Sequence, residues 1–252
     1  MPDLQTVALW GPTSSGKTAF LSQLYFQHSD EWNVFPTQDS LAFLEIVRPF
    51  TEKNSFPKAT AVGTIQRVAY TFQNKKTGRE FALVVEDRPG EESEVLSDEG
   101  KKRFNDALGL VLLFDAEKDL RLLERQIEQT LAKLNVAADR GPKKDDRPFA
   151  ICLSKADLRI RSADDLQRAV ERPREFVLEK ISRDIVLWVD KFCSNYEFFP
   201  VSSIGVRLRH GVIEPIVFYD EALGLRMGSG GQPINLLRPF AWLFDRINAP
   251  GK

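Results

Sequence analysis

Cysteine, histidine and methionine are scarce in this 252-residue chain, with two of each. Cys152 and Cys193 are too few for a disulfide framework and form no CxxC pair of the kind that binds zinc. His28 and His210 leave little room for a His-rich metal centre or a His-based catalytic triad. An excess of either charge is also missing: 35 Lys+Arg face 36 Asp+Glu, a formal net charge of −1. That balance argues against a dedicated nucleic-acid or membrane-surface binder, although it leaves room for a local patch. The apolar run Leu110 to Phe114 falls far short of the ~20 residues needed to cross a bilayer. The opening residues, Met-Pro-Asp-Leu-Gln-Thr, carry neither a basic segment nor an apolar stretch, so no secretory signal is read there. The expectation is a cytoplasmic protein with no membrane span and no nucleic-acid partner.

What is present is ordinary globular composition: 42% hydrophobic, 28% charged, 15 Gly and 14 Pro. At this length a chain buries a core without a metal or disulfide staple. Short apolar runs alternate with helical patterns. Leu4 to Trp10, Phe81 to Glu86, Leu108 to Asp115, Phe149 to Ser154 and Glu197 to Val201 read as strands. Gln66 to Gln73 alternates polar and apolar residues and, across the turn at Asn74 to Gly78, reads as a hairpin partner of Phe81 to Glu86. Helical spacing marks Lys17 to His28, Asp39 to Val47 (with Leu41, Leu44 and Val47 on one face) and Lys118 to Val136. It also marks a short helix near Asp164 to Arg172 and a longer one from Pro173 to about Phe192. Pro233 to Ile247 reads as a final amphipathic helix that Pro239 kinks or starts late. Gly141 to Pro148 reads as a solvated loop, and Val206 to Gly231 as room for an extra hairpin. The alternation predicts an α/β fold: a three-layer, mostly parallel sheet with one antiparallel hairpin strand and helices on both faces.

Gly11-Pro12-Thr13-Ser14-Ser15-Gly16-Lys17-Thr18 satisfies the pattern GxxxxGK[ST] between a strand and a helix. Glycines there let backbone N–H groups turn inward around phosphate oxygens, and the helix N-terminus adds positive potential. Lys17 can reach the β- and γ-phosphates, and the Thr18 hydroxyl can ligate Mg²⁺. Gly11, Ser14, Ser15, Gly16, Lys17, Thr18 and Ala19 are therefore the candidate phosphate-binding residues. Asp87-Arg88-Pro89-Gly90 follows the next strand. The DxxG pattern is common by chance and gains weight from its place, where Asp87 can hold Mg²⁺ opposite Thr18 and the Gly90 N–H can meet a γ-phosphate. Ser154-Lys155-Ala156-Asp157 follows the strand from Phe149. A carboxylate there accepts two hydrogen bonds from guanine N1–H and its exocyclic amine, a donor pair that adenine lacks, while the Lys155 stem can lie against the base. After the last strand, Val201-Ser202-Ser203-Ile204-Gly205 can offer a backbone N–H to guanine O6.

In this order the four motifs resemble the Ras-like branch of P-loop GTPases, over Leu4 to Ile247. The chain also resembles GTPase-like domains of bacterial multi-component conflict or signalling systems, through its C-terminal helix. The resemblance implies a GTP/GDP-binding, Mg²⁺-dependent switch that hydrolyses GTP. Gly11, Gly16, Lys17 and Thr18 match the phosphate loop, Asp87 and Gly90 the second switch, and Ser154, Lys155 and Asp157 the base motif. Ser202 and Ser203 match the last base loop. It also implies an effector or regulatory protein at the switch regions and leaves a homodimer open. One domain over 1–252 is expected, enlarged near 29–63 and 158–196, and the Asn-Ala-Pro-Gly-Lys tail is compatible with a longer protein.

Three departures from the pattern bear on activity. Ser154 stands where Asn is usual, and is expected to tie the base loop to the phosphate loop only in part. Glu91, followed by Glu92, stands where Gln usually orients water, and a carboxylate beside a developing γ-phosphate charge is electrostatically awkward. Arg88 can supply a positive charge within the chain, so turnover is expected to be slow without a partner or self-association. The first-switch Mg²⁺ ligand is assigned to Thr64, with Thr60 second. The aromatics Trp32, Phe35, Phe43, Phe50 and Phe56 in that long segment read as a satellite core or as a nucleotide-sensitive partner surface. A non-hydrolysing nucleotide-sensing module, or a P-loop ATPase, are the alternatives.

Overall fold

The computed structural model describes residues 5–27, 29–53, 56, 66–87, 98–139, 141–214, 216–221 and 224–249. Five strands with parallel neighbours form the frame: β1 (Gln5–Trp10), β4 (Glu80–Asp87), β5 (Gly109–Asp115), β6 (Asp145–Ser154) and β7 (Cys193–Pro200). Adding β2 (Trp32–Pro36) and β3 (Gln66–Asn74) gives a seven-stranded sheet in the order β2-β3-β4-β1-β5-β6-β7. Only β3 runs against the rest, pairing antiparallel with both β2 and β4. The order turns about β1, with β4 on one side and β5 on the other. Loops leaving β1 and its neighbours at their C-terminal ends therefore open the crevice where α/β sheets bind ligands.

Alternation along the strands sorts the core into two layers. Val7 and Leu9, Val111 and Leu113 point to one face; Ala8 and Trp10, Leu110, Leu112 and Phe114 point to the other. The first face is covered by α1 (Lys17–Leu24), α2 (Gln38–Lys53) and α8 (Arg238–Asn248), through Phe20, Leu24, Phe43, Val47, Phe240 and Phe244. Phe72 stacks on both Phe81 and Phe240, at 4.9 and 4.7 Å between centroids. The second face is covered by α3 (Asp98–Asp106), α4 (Leu120–Ala137), α5 (Ala163–Glu171), α6 (Pro173–Lys180) and α7 (Ile185–Phe192). Every residue of β5 is buried, as a central parallel strand covered on both faces requires. Among the described residues no helix is long and apolar enough to cross a membrane.

Several elements differ from the sequence reading. The helix expected from Pro173 to Phe192 is two helices, because Ile181 is extended (φ −121°, ψ 171°) and α6 stops there. Leu187, in the second of these helices, is exposed. Helix α1 ends at Leu24 rather than continuing toward His28, which lies outside the described residues. Helix α2 runs six residues beyond Val47 and carries Pro49 inside it. Its buried face is Ser40, Phe43, Val47 and Phe50; of the expected stripe Val47 is buried and Leu44 packs against the core, whereas Leu41 is exposed. The Ser40 hydroxyl both donates to the Ala69 carbonyl (2.5 Å) and accepts the Ala69 N–H (2.7 Å), which pins α2 to β3. Of the aromatics in this segment, Trp32, Phe43 and Phe50 are buried, Phe56 is half-buried and Phe35 is exposed.

Gly141 to Pro148 is not all loop. Asp145 opens β6, is buried, and pairs with Arg147 at 2.7 Å. Arg147 then donates to the carbonyls of Phe104 (2.7 Å) and Ala107 (3.0 Å), closing the C-terminal end of α3. After β7 the chain forms β8 (Ser202–Arg209), paired antiparallel with β9 (Val212–Glu214) and β12 (Gln232–Ile234). A separate hairpin joins β10 (Val217–Asp220) to β11 (Gly224–Met227). Pro239 sits in the first turn of α8, so the proline delays that helix instead of kinking it.

Candidate functional site

The loop between β1 and α1 turns through Ser14 (φ 65°) and Gly16 (φ 78°), both in the left-handed region. Gly16 caps α1 in that conformation, which glycine adopts without steric cost. Gly11 is needed for a different reason. A Cβ there would stand 2.5 Å from Ser15 Oγ and 2.7 Å from the Leu113 carbonyl, so loop and β5 close onto a bare backbone. Lys17 Nζ folds back into this loop, donating to the carbonyls of Gly11 (2.6 Å) and Pro12 (3.1 Å). Thr18 and Ala19 occupy the first turn of α1. Ser15 is wholly buried, and among the described residues its hydroxyl has no hydrogen-bond partner. A buried, unsatisfied hydroxyl costs free energy unless a ligand or water meets it. Backbone loop, ammonium and orphaned hydroxyl together fit an anionic group such as a phosphate chain.

The neighbouring strand ends bring the other candidates to the same rim. The register Ala8↔Val84 carries β4 to its end at Asp87 beside the start of the loop. Arg88, Gly90, Glu91, Thr60 and Thr64 lie outside the described residues. On the other side, β6 ends at Ser154, in register with Asp115 at the end of β5. The Ser154 hydroxyl donates to the Phe114 carbonyl at 2.9 Å. It thus ties β6 to β5, where a partial tie to the phosphate loop was expected.

Lys155 follows in the left-handed region (φ 54°) and caps the 3₁₀ turn Ala156–Arg159. Its Nζ lies 2.8 Å from Asp115 Oδ2 and 3.0 Å from Glu117 Oε2. Burial lowers its pKa, but the two carboxylates outweigh that effect and hold it above the ordinary 10.5. Asp157 sits in the turn and accepts from the Ser202 hydroxyl at 2.5 Å. Burial raises its carboxyl above the ordinary 3.8, against the opposing pull of Ser202 and Lys155. Ser202 and Ser203, expected in a loop, begin strand β8. Ser202 is buried and also accepts the Gly205 N–H at 2.8 Å. The structure therefore joins Ser154, Lys155, Asp157 and Ser202 through hydrogen bonds to each other or to β5.

Asp115 and Glu117 were missed in the sequence. Their signal was present: an acidic residue closing an entirely apolar strand, next in space to the strand that ends in Ser154-Lys155. Among the described residues no cluster of metal-ligating side chains assembles by itself.

Solved structures with a related course have low identity. A GTP-binding protein from the archaeon Sulfolobus solfataricus, solved with GDP, is 16% identical at a TM-score of 0.36 and matches 79% of this chain and 46% of its own. A bacterial selenocysteine-specific elongation factor is 16% identical at a TM-score of 0.40, over 80% of this chain and 26% of its own. This chain thus spans less than half the length of either. No curated protein matches the sequence. A family model described as Double-GTPase 2 matches residues 5–203, well over half of the chain. That span begins with β1 and ends with Ser202-Ser203, and so takes in the phosphate loop and the Lys155–Asp157 turn. The chain belongs to the Double-GTPase 2 family.

Proposed function

We propose that this domain is a guanine-nucleotide switch that binds GTP and GDP with Mg²⁺ and hydrolyses GTP slowly unless a partner stimulates it. One observation carries the reading. A bare-backbone loop with Lys17 folded into it and a buried, unpartnered Ser15 hydroxyl stands on the same sheet rim as a carboxylate, Asp157, held at 2.5 Å by Ser202.

In this reading Gly11, Ser14, Ser15, Gly16, Lys17, Thr18 and Ala19 hold the phosphates. Asp157 accepts from guanine N1–H and the exocyclic amine, the Lys155 stem covers the ring, and Ser203 and its neighbours border the O6 edge. Thr18 with Asp87, and Thr64 from the first switch, would hold Mg²⁺, which neutralises phosphate charge when bound. Water attacks the γ-phosphate in line, and Gly90 senses that phosphate. Arg88 supplies positive charge, and Glu91 replaces the usual water-positioning amide with a carboxylate, which keeps basal turnover slow. The setting is cytoplasmic, and the switch segments are the surface for an effector or regulatory protein.

Glu91 also favours a second reading, a nucleotide sensor that does not hydrolyse. Single-turnover incubation with γ-labelled GTP and Mg²⁺ separates the two. Slow release of phosphate that Lys17→Ala abolishes supports the hydrolase. Tight GTP binding with no phosphate release over many hours supports the sensor.

A further inference from the structure

Lys155 has its ammonium tethered by two carboxylates. Its backbone is left-handed (φ 54°, ψ 35°), a conformation that is unfavourable for a residue other than glycine. Backbone bonds hold that turn, from the Ala156 N–H to the Val201 carbonyl and from the Leu158 N–H to the Lys155 carbonyl, each at 3.0 Å, and two carboxylates hold the side chain. The Asp115 side chain is 3% exposed and uses both carboxylate oxygens: Oδ2 takes the Lys155 ammonium at 2.8 Å, and Oδ1 takes the Glu117 N–H at 2.9 Å. The Glu117 carboxylate, largely exposed, reaches the same ammonium at 3.0 Å. Asp115 thus sets the loop that presents Glu117 and grips the lysine itself. Arg159, from the 3₁₀ turn that follows, donates to the Ala116 carbonyl at 2.8 Å and closes the same loop from beyond Lys155.

We infer that Asp115, assisted by Glu117, is a positioning residue that fixes Lys155 as a rigid platform for the nucleoside half of a guanine nucleotide; this rests on the guanine-nucleotide reading of the site. The geometry explains the division of labour. A lysine stem is ordinarily rich in rotamer freedom, which a stacking contact with a base would have to overcome at the moment of binding. Tethering the ammonium at its far end removes that freedom beforehand, so the stem meets the ring already ordered. A buried carboxylate whose two oxygens are both used is the stronger tether, and an exposed one adds little. Asp115 touches neither phosphate residues nor Asp157 in any hydrogen bond described, so its effect falls on the nucleoside and not on the phosphate chain.

The test compares GDP with inorganic tripolyphosphate, which occupies the phosphate loop but has no base. Both are titrated, with Mg²⁺, against the wild-type chain, Asp115→Asn, Glu117→Gln, Lys155→Met and the double variant Asp115→Asn/Lys155→Met. Asp115→Asn is expected to weaken GDP about tenfold, and Glu117→Gln about twofold, with tripolyphosphate unchanged. In the Lys155→Met background Asp115→Asn is expected to cost nothing further. Equal weakening of GDP and tripolyphosphate would make Asp115 a merely structural residue and overturn the proposal. So would an Asp115→Asn chain that binds GDP as wild type does, or one whose loss persists without Lys155. A wild-type chain that binds tripolyphosphate as tightly as GDP would overturn the guanine reading itself and the platform with it.

Discussion

The Ser202 hydroxyl donates to Asp157 at 2.5 Å while accepting the Gly205 N–H at 2.8 Å. One oxygen therefore links the carboxylate to the turn that opens β8. That turn cannot shift freely: Gly205 has φ +71°, and a Cβ there would fall 1.6 Å from the Gln232 carbonyl on β12. The Asp157 end of the candidate site is braced by the small sheet of β8, β9 and β12.

Ser202→Ala removes a charge-assisted donor from a half-buried carboxylate, a loss worth about 1–3 kcal/mol. GDP affinity is expected to fall by roughly 5- to 150-fold on that scale. Titration with a fluorescent GDP analogue checks it, and tripolyphosphate binding is expected to stay unchanged.

Asp157 also sets a pH dependence. Its carboxyl is raised above 3.8, chiefly by burial, so over the window from the raised value down to 3.8 the folded state binds more protons than the unfolded one. Through this group the nucleotide-free fold gains stability as pH falls across that window. Guanine recognition needs the ionised form, so GDP affinity falls across the same window. Isothermal titration and urea melts over mildly acidic pH are expected to move in opposite directions, once Asp157→Asn is used to subtract other groups.

Gly11→Ala tests the phosphate loop. The added methyl meets the Leu113 carbonyl at 2.7 Å and the Ser15 hydroxyl at 2.5 Å, contacts that real Cβ atoms essentially never make. Overpacking of this kind costs about 1–3 kcal/mol. The variant is expected to melt at lower temperature and to bind neither GDP nor tripolyphosphate, whereas Lys17→Ala is expected to lose binding with little change in melting temperature.

Asp145→Asn tests a structural tie away from the site. It leaves Arg147, whose side chain is 11% exposed, without its ion-pair partner at the end of α3. Breaking a buried pair from one side costs about 3–5 kcal/mol. Urea unfolding is expected to show a loss of that size with GDP affinity preserved.

Local pattern made much of this legible. Continuous apolar runs gave β1, β5 and β6, alternation gave β3, and the GxxxxGK[ST] spacing placed the phosphate loop between its strand and helix. The parts that were not legible depend on partners distant in sequence. Asp145 and Arg147 read as solvent-facing charges, because nothing nearby says that Phe104 and Ala107 will offer carbonyls to the guanidinium. Strand β2 was hidden in an aromatic-rich segment, since its pairing with Gln73 and Phe72 is a long-range choice. Ile181 breaks an apolar stripe that is helical on both sides of it, and periodicity alone runs through such a break. At the candidate site, the place of Lys155 and Asp157 just after β6 was legible, whereas the Asp115–Lys155 pair needed the register of β5 against β6.

Competition between GTP and ATP for the purified chain tests the central claim most directly. A fluorescent GDP analogue is bound in the presence of Mg²⁺ and displaced by each nucleotide. A carboxylate that pairs with the guanine donor edge is expected to make GTP at least about 100-fold more effective than ATP. The Asp157→Asn variant is expected to shift its preference toward xanthine nucleotides. Equal displacement by both nucleotides, or a preference for ATP, would contradict the account.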